Sequence, residues 1–262
     1  MDLQLTGKTA IVLAASRGLG KAAAMSLAAE GVDLVIGSRN MESLQQTAEQ
    51  IRSLYGVRVV ALAVDLSQAA QAEAFLKEAA GAFGKIDILV NNAGGPPFGK
   101  FESFDDQAWY QAFELTLMSA VRFIRLCIPY LRRSGSGRII NITSLSTKTY
   151  LENSVLSTSL RLAVTGMAKM LSNELGPDHI TVNNVAPGII LTDRIRETLF
   201  HDLPAGMTQE QALQRRAGEI PVRRLGTPQE LAALITFLAS PLAGYITGTT
   251  IQVDGGAVKS PF

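Results

Sequence analysis

The chain alternates short apolar runs with longer stretches in which apolar residues recur every three or four positions. The runs Thr9–Leu13, Asp33–Gly37, Arg58–Val64, Ile86–Val90, Arg138–Thr143, Ile180–Val185 and Thr250–Val253 are near-continuous and β-rich, as in strands buried on both faces. Between them the helical period predicts helices over about Gly18–Ala29, Met41–Leu54, Gln68–Phe83, Asp105–Arg132 and Val155–Leu175. This alternation builds a parallel sheet, and right-handed crossovers put helices on both faces. The expected class is α/β, with a doubly wound parallel seven-stranded sheet. No linker, repeat or low-complexity stretch interrupts the pattern, so residues 1–262 read as a single domain. The longest departure, Thr192 to Pro221, is polar and contains Pro204 and Gly206. It follows the carboxyl end of a strand, where substrate-covering loops belong, and it is read as a lid over about 192–221.

Composition narrows the function. Hydrophobic residues make up 47% and charged residues 18%, which suits a large buried core and excludes disorder. The net charge of +1 argues against a basic nucleic-acid binder or a polybasic membrane binder. The single cysteine, Cys127, can form no internal disulfide and no thiolate cluster, and the two histidines are too scattered to suggest a metal. The opening residues lack a signal-peptide pattern, and no apolar stretch approaches the roughly 18 residues of a membrane span. The reading is a cytoplasmic protein with a small-molecule substrate.

The first strand runs into Ala14-Ala15-Ser16-Arg17-Gly18-Leu19-Gly20 and then a helix. Glycines at such a turn let backbone approach a pyrophosphate, and the helix N-terminus adds unpaired N–H groups and a positive dipole end. The spacing is small-x-x-x-Gly-x-Gly, with Ala14 where a first glycine would stand. Rossmann sites that prefer NAD carry an acid at the end of the second strand, on the ribose 2′-hydroxyl. Here that place is held by Ser38 and Arg39, which suit a 2′-phosphate, and Arg17 is placed to close the same pocket. NADP is therefore favoured over NAD.

With Asn91-Asn92-Ala93-Gly94 after the fourth strand, Asp65-Leu66 after the third and Pro187-Gly188 after the sixth, the chain resembles the short-chain dehydrogenase/reductases over nearly its whole length. Arg224-Leu225-Gly226-Thr227-Pro228 and Val253-Asp254-Gly255-Gly256 extend the likeness, which is nearest to the β-ketoacyl-acyl-carrier-protein reductase-like branch. The resemblance implies that Asp65 and Leu66 meet the adenine. It places Asn91, Ala93 and Gly94 on the ribose side, and Pro187, Gly188, Ile190 and Thr192 at the nicotinamide end. It also implies a homodimer or homotetramer through the helices after the fourth and fifth strands, with Met118, Val121, Leu126, Met167 and Leu171 as apolar contacts.

The family's chemistry uses an Asn, a Ser, a Tyr and a Lys. Carried over position by position, the serine is Ser144, but the tyrosine place is Ser157, the lysine place Arg161 and the asparagine place Thr116. No Tyr-x-x-x-Lys occurs anywhere in the chain, so the dyad has not slipped to another register. A serine hydroxyl is a far weaker acid than a phenol and is several bonds shorter. Arg161 retains a positive charge, for cofactor ribose or phosphate or for a substrate carboxylate. Ser157 and Arg161 lie at i and i+4, on one helix face beside Leu156, Leu160, Val164, Met167 and Leu171, a stripe read as core or subunit interface. Tyr150, Lys148 and Glu152 are the nearby groups able to replace the proton donor, as is a water held by Ser144, Ser157 and Arg161. Three hypotheses follow: an NADP-linked oxidoreductase with a rewired proton donor, a non-catalytic nucleotide-binding sensor or partner subunit, and an elimination or isomerisation on the same scaffold.

Overall fold

The computed structural model describes residues 1–201, 203 and 206–260. Seven strands form one parallel sheet in the order β3-β2-β1-β4-β5-β6-β7. They are β1 (Thr9–Leu13), β2 (Asp33–Ser38), β3 (Val59–Ala63), β4 (Ile88–Asn91), β5 (Arg138–Ile142), β6 (Thr181–Pro187) and β7 (Thr250–Val253). The order reverses between β1 and β4, so a crevice opens beyond the carboxyl ends of these two strands.

Successive strand residues point to opposite faces, and each face has its own core. Ala10 and Val12 of β1 and Leu34 and Ile36 of β2 join Leu27 and Leu44 on one side, with α1 (Gly18–Ala29), α2 (Met41–Tyr55) and the later Leu231, Ile235 and Leu238. Ile11, Leu13 and Val35 point the other way, to Phe75 and Leu76 of α3 (Ala69–Phe83) and to Phe123 and Leu131. Phe75 and Phe123 meet edge to face at 5.5 Å between ring centroids.

Three features depart from the sequence reading. The helix expected from Asp105 to Arg132 is two helices, α4 (Asp106–Phe113) and α5 (Ser119–Ser134), joined by a π-helical turn at Glu114–Met118. Such a turn shifts the sequence pattern by only one residue, too little to separate from the scatter of apolar positions along a helix. The segment after β6, expected as a loop, contains α7 (Asp193–His201) and α8 (Gln209–Gly218), following α6 (Val155–Glu174). Thr208 and Gln211 form a capping box that starts α8. Pro204 lies outside the described residues. A further helix, α9 (Pro228–Ala239), packs against α1; its Thr227-Pro228-x-Glu230 start carries an N-cap, an N1 proline and a capping box. Among the described residues no helix is long and apolar enough to cross a membrane.

Candidate active site

Six segments named from the sequence lie beyond strand carboxyl ends, along one rim of the sheet: the glycine turn after β1, Ser38-Arg39, Asp65-Leu66, Asn91–Gly94, Ser144, and Pro187–Thr192. At the glycine turn, backbone geometry dictates the residues. Gly18 has φ +59°, and a Cβ on Gly20 would lie 2.3 Å from the Ala14 carbonyl oxygen and 2.9 Å from Asn92 Nδ2. Ala14 adopts φ +50°, so the missing first glycine leaves a left-handed residue with a side chain. Arg17 is the N-cap of α1 and supplies no side-chain cap, and no acid occupies the first turn. The first N–H groups therefore face the crevice beneath a positive dipole end.

The neighbouring contacts tie this turn to the rest of the rim. Thr47 Oγ1 donates to the Ser16 carbonyl at 3.2 Å, and Thr192 lies over Gly18, 3.7 Å from where its Cβ would be. Ser38 is buried and donates to the Asn40 carbonyl, whereas Arg39 is exposed. Arg17 reaches Glu197 of α7 at 3.4 Å, both side chains being more than half exposed; such a pair is worth about 0–1 kcal/mol. Asp65 accepts from Ser67 N at 3.0 Å and from Ser67 Oγ at 2.7 Å, and Leu66 is buried in the core.

A row of amides crosses the sheet just below the rim. Asn91 Nδ2 donates to Asn141 Oδ1 at 2.8 Å, Asn141 Nδ2 to Asn184 Oδ1 at 3.0 Å, and Asn184 Nδ2 to Thr250 Oγ1 at 3.1 Å. These residues are paired in register across β4, β5, β6 and β7. The row ends at Asn91 Oδ1, which is buried without a hydrogen-bond partner among the described residues; so is Thr116 Oγ1 in the π turn. Both residues line a cavity of about 20 Å³ together with Asn92, Ala93, Thr143 and Arg161. That space is large enough for one water, which could donate to the amide oxygen and bond the hydroxyl. Sequence reasoning missed Asn141, Asn184 and Thr250, although the signal was an asparagine at the same depth in consecutive strands.

The positions that the resemblance carries over from the family's catalytic groups meet at the carboxyl end of β5. Ser144 begins a short 3-10 turn, its Oγ accepting from Ser146 N at 3.2 Å and from Ser146 Oγ at 3.1 Å, so its own proton is available. Arg161 Nη1 donates to the Ile142 and Thr143 carbonyls at 2.8 and 2.9 Å, and its Nε donates to Ser157 Oγ at 3.3 Å. Burial, and secondarily the Arg194 charge, pull the Arg161 guanidinium down to about 10, still cationic at neutral pH. Leu156, Leu160 and Val164 are buried, so the stripe beside Ser157 is core. Tyr150 and Glu152 open instead on a separate groove with Lys100 and Phe101, on a different face of α6; Ser144, Ser157 and Arg161 do not line it.

The lid segment enters the site through Arg194. Its Nη2 donates to the Gly95 and Pro96 carbonyls at 3.1 and 3.3 Å. The guanidinium lies directly over Gly95, where an added Cβ would be 2.8 Å from Nη2. Gly226 holds the start of this segment: its N–H donates to the Ile189 carbonyl at 3.0 Å and its carbonyl accepts from Leu191 N at 2.8 Å. Gly188 passes Asp254 so closely that a Cβ there would be 2.7 Å from the Asp254 Cα.

Residues 13–258 match the family model described as enoyl-(acyl carrier protein) reductase. The chain is 32% identical over 260 residues to the 7α-hydroxysteroid dehydrogenase of Escherichia coli, spanning 98% of this chain and 97% of that one. It is 32% identical over 258 residues to the NADPH-dependent reductase BacG of Bacillus subtilis, spanning 98% of this chain and 100% of the relative. The L-sorbose reductase of Gluconobacter frateurii, solved with NADPH and L-sorbose, superposes with a TM-score of 0.94 at 34% identity, over 99% of this chain and 100% of that one. The chain belongs to the short-chain dehydrogenase/reductase family and is an oxidoreductase.

Proposed function

We propose that the protein transfers a hydride between NADPH and a small carbonyl or hydroxyl compound, with Ser144, Ser157 and Arg161 replacing the family's usual proton-handling groups. The glycine turn carries this reading: an uncapped α1 N-terminus, brought by Gly20 into close approach to the Ala14 carbonyl at the end of β1, offers its N–H groups to a pyrophosphate. Ala14, Ser16, Arg17, Gly18, Leu19 and Gly20 would hold the phosphates, and Ser38 and Arg39 the 2′-phosphate. No acid stands at the end of β2 to repel that group, and NADPH is named for the related BacG and L-sorbose reductases. Asp65 and Leu66 would flank the adenine. Asn91, Ala93 and Gly94 would lie along the ribose, and Pro187, Gly188, Ile190 and Thr192 along the nicotinamide.

When bound, the cofactor supplies the hydride. Ser144, whose oxygen already accepts two bonds, is left to donate its proton to the substrate oxygen. Ser157 accepts from a guanidinium, which makes its own O–H a better donor. Its side chain is too short to replace a phenol, so it hands its proton on through a water held with Arg161. Thr116 and Asn91 hold a second water below, at the end of the amide row. Residues 192–221 would act as a lid on the one domain, with Arg194 and the Arg17–Glu197 pair as its contacts with the body.

Association through the helices after β4 and β5 would use exposed Leu162, Met170, Tyr110 and Phe113. The five residues read from sequence are half-buried, and Leu126, Met167 and Leu171 pack on the chain's own core. A dimer or tetramer in sedimentation analysis is the expected state. We place the protein in the cytoplasm, where NADPH is supplied and the buried Cys127 thiol, its pKa raised by burial, stays reduced.

The deciding experiment titrates NADPH and NADH by fluorescence and then assays a carbonyl panel with each. NADPH should bind at least tenfold tighter and be consumed with a panel member. Equal or tighter NADH binding would refute the roles given to Ser38, Arg39 and Arg17. Tight NADPH binding without turnover on any carbonyl would refute the catalytic reading.

A further inference from the structure

The amide row below the rim has a direction. Thr250 Oγ1 accepts from Asn184 Nδ2, Asn184 Oδ1 from Asn141 Nδ2, and Asn141 Oδ1 from Asn91 Nδ2. An amide that donates on one side has only its oxygen to offer on the other. Turning any one of the three alone would set oxygen against oxygen or N–H against N–H, so the row turns together or not at all. The Thr250 hydroxyl can donate or accept and fits either sense. The sense is chosen at the other end, where the Arg161 guanidinium lines the cavity that Asn91 faces and favours an oxygen over an NH₂ group.

Two neighbours show what ordinary structural groups do here. Asn183, on the opposite face of β6, is closed by backbone: its Nδ2 donates to the Ile246 carbonyl and its Oδ1 accepts from Thr249 N. Helical threonines such as Thr47 and Thr165 return their hydroxyls to the carbonyl four residues back, whereas Thr116 in the π turn makes no such bond. The row itself also breaks a pattern. Two residues earlier, on the same face of the same strands, Leu89, Ile139 and Val182 are core. The face turns to buried amides only where it reaches the crevice, at a desolvation cost that an apolar row would avoid.

We infer that Asn141 and Asn184, with Thr250 at the far end, are positioning residues for the proton-handling water of the site. The row holds the Asn91 oxygen toward the cavity shared with Thr116 and Arg161, so that a water there spends a proton on Asn91 and keeps its lone pairs for Thr116 and Arg161. Arg161 in turn donates to Ser157, which connects the oriented water to the proton-handling hydroxyls. This rests on the reductase reading and extends its site four strands across the sheet.

The test uses N184L, which removes a middle link, and T250V, which keeps the shape of the half-buried last residue and removes its hydroxyl, with T250S as the conservative change. On a carbonyl that the panel selects, N184L should lower kcat about tenfold and T250V about threefold, with KM and NADPH affinity within twofold; T250S should match the parent. The solvent deuterium isotope effect on kcat should rise in N184L and T250V, because proton supply then limits turnover more. Neutron diffraction from crystals of the parent protein exchanged into heavy water should place the Asn91 nitrogen, with its deuterons, against Asn141 and the oxygen on the cavity side. A nitrogen on the cavity side overturns the inference. So does a lower melting temperature in N184L and T250V with kcat and the isotope effect unchanged, which would make the row a fastener of strands and nothing more. If N184L does not fold, T250V against T250S decides. If no carbonyl is turned over, the reductase reading fails and the water's role falls with it, while the neutron map decides the orientation of Asn91 separately.

Discussion

The two ends of the crevice have been treated differently. At the β1–α1 end, geometry leaves no freedom: Gly20 has no room for a Cβ, Gly18 needs a positive φ, and Thr192 lies over Gly18. At the β5–α6 end the side chains are Ser157, Arg161 and Thr116, at the positions to which the resemblance carries the family's tyrosine, lysine and asparagine. Cofactor binding of this kind is mostly a property of backbone, whereas proton transfer is a property of side chains. A chain can therefore keep the first intact while exchanging the second. Its altered end then shows what else the frame can hold: a cation fixed on the Ile142 and Thr143 carbonyls and a second one laid across Gly95.

The sharpest way to break this contrast is to restore the lost side chains. The double substitution Ser157→Tyr with Arg161→Lys returns an acidic phenol and its usual cationic neighbour. Positioned acid–base groups contribute typically about 10²–10⁴-fold, so turnover of a neutral carbonyl such as pyruvamide should rise by roughly 100-fold. Steady-state kcat checks this, and no gain would mean that the β5–α6 end no longer presents a carbonyl to a donor at that place.

The complementary change attacks the backbone geometry of the glycine turn. G20A places a methyl group 2.3 Å from the Ala14 carbonyl oxygen, which requires the turn to open. NADPH affinity should fall by about 30-fold, roughly 2 kcal/mol, by fluorescence titration. Unchanged NADPH affinity would show that the cofactor does not depend on this approach.

Legibility followed the same divide. Strands such as Thr9–Leu13 and Arg138–Ile142 were readable because burial on both faces demands unbroken apolar sequence, and the turn after β1 because its glycines answer to sterics. The position of Ser157 and Arg161 followed from counting along one helix. The π turn around Thr116 did not, because a shift of one residue is lost in the scatter of apolar positions along a helix. Nor did Arg194, since a basic residue in a polar segment looks like any solvated charge until the fold lays it on Gly95. The amide row linking Asn91, Asn141 and Asn184 needed the strand register, which sequence spacing alone does not supply.

Ala14 offers the smallest test, at the one place where the cofactor end departs from the family. Its φ of +50° costs an L-residue about 1–2 kcal/mol relative to glycine. Glycine gives back about 0.4–1 kcal/mol through the greater freedom of the unfolded chain, and it removes a methyl group that packs against the core cluster under α3 and α5. The balance favours A14G by about 0.5 kcal/mol, or a Tm higher by roughly 1–2 °C for a chain of this size. NADPH affinity should stay within about twofold, because the Ala14 carbonyl that meets Gly20 is backbone in either case. A lower melting temperature would mean that the methyl contact outweighs the strain. The alanine would then stand at the turn for packing, and the cofactor end would owe part of its stability to a side chain after all.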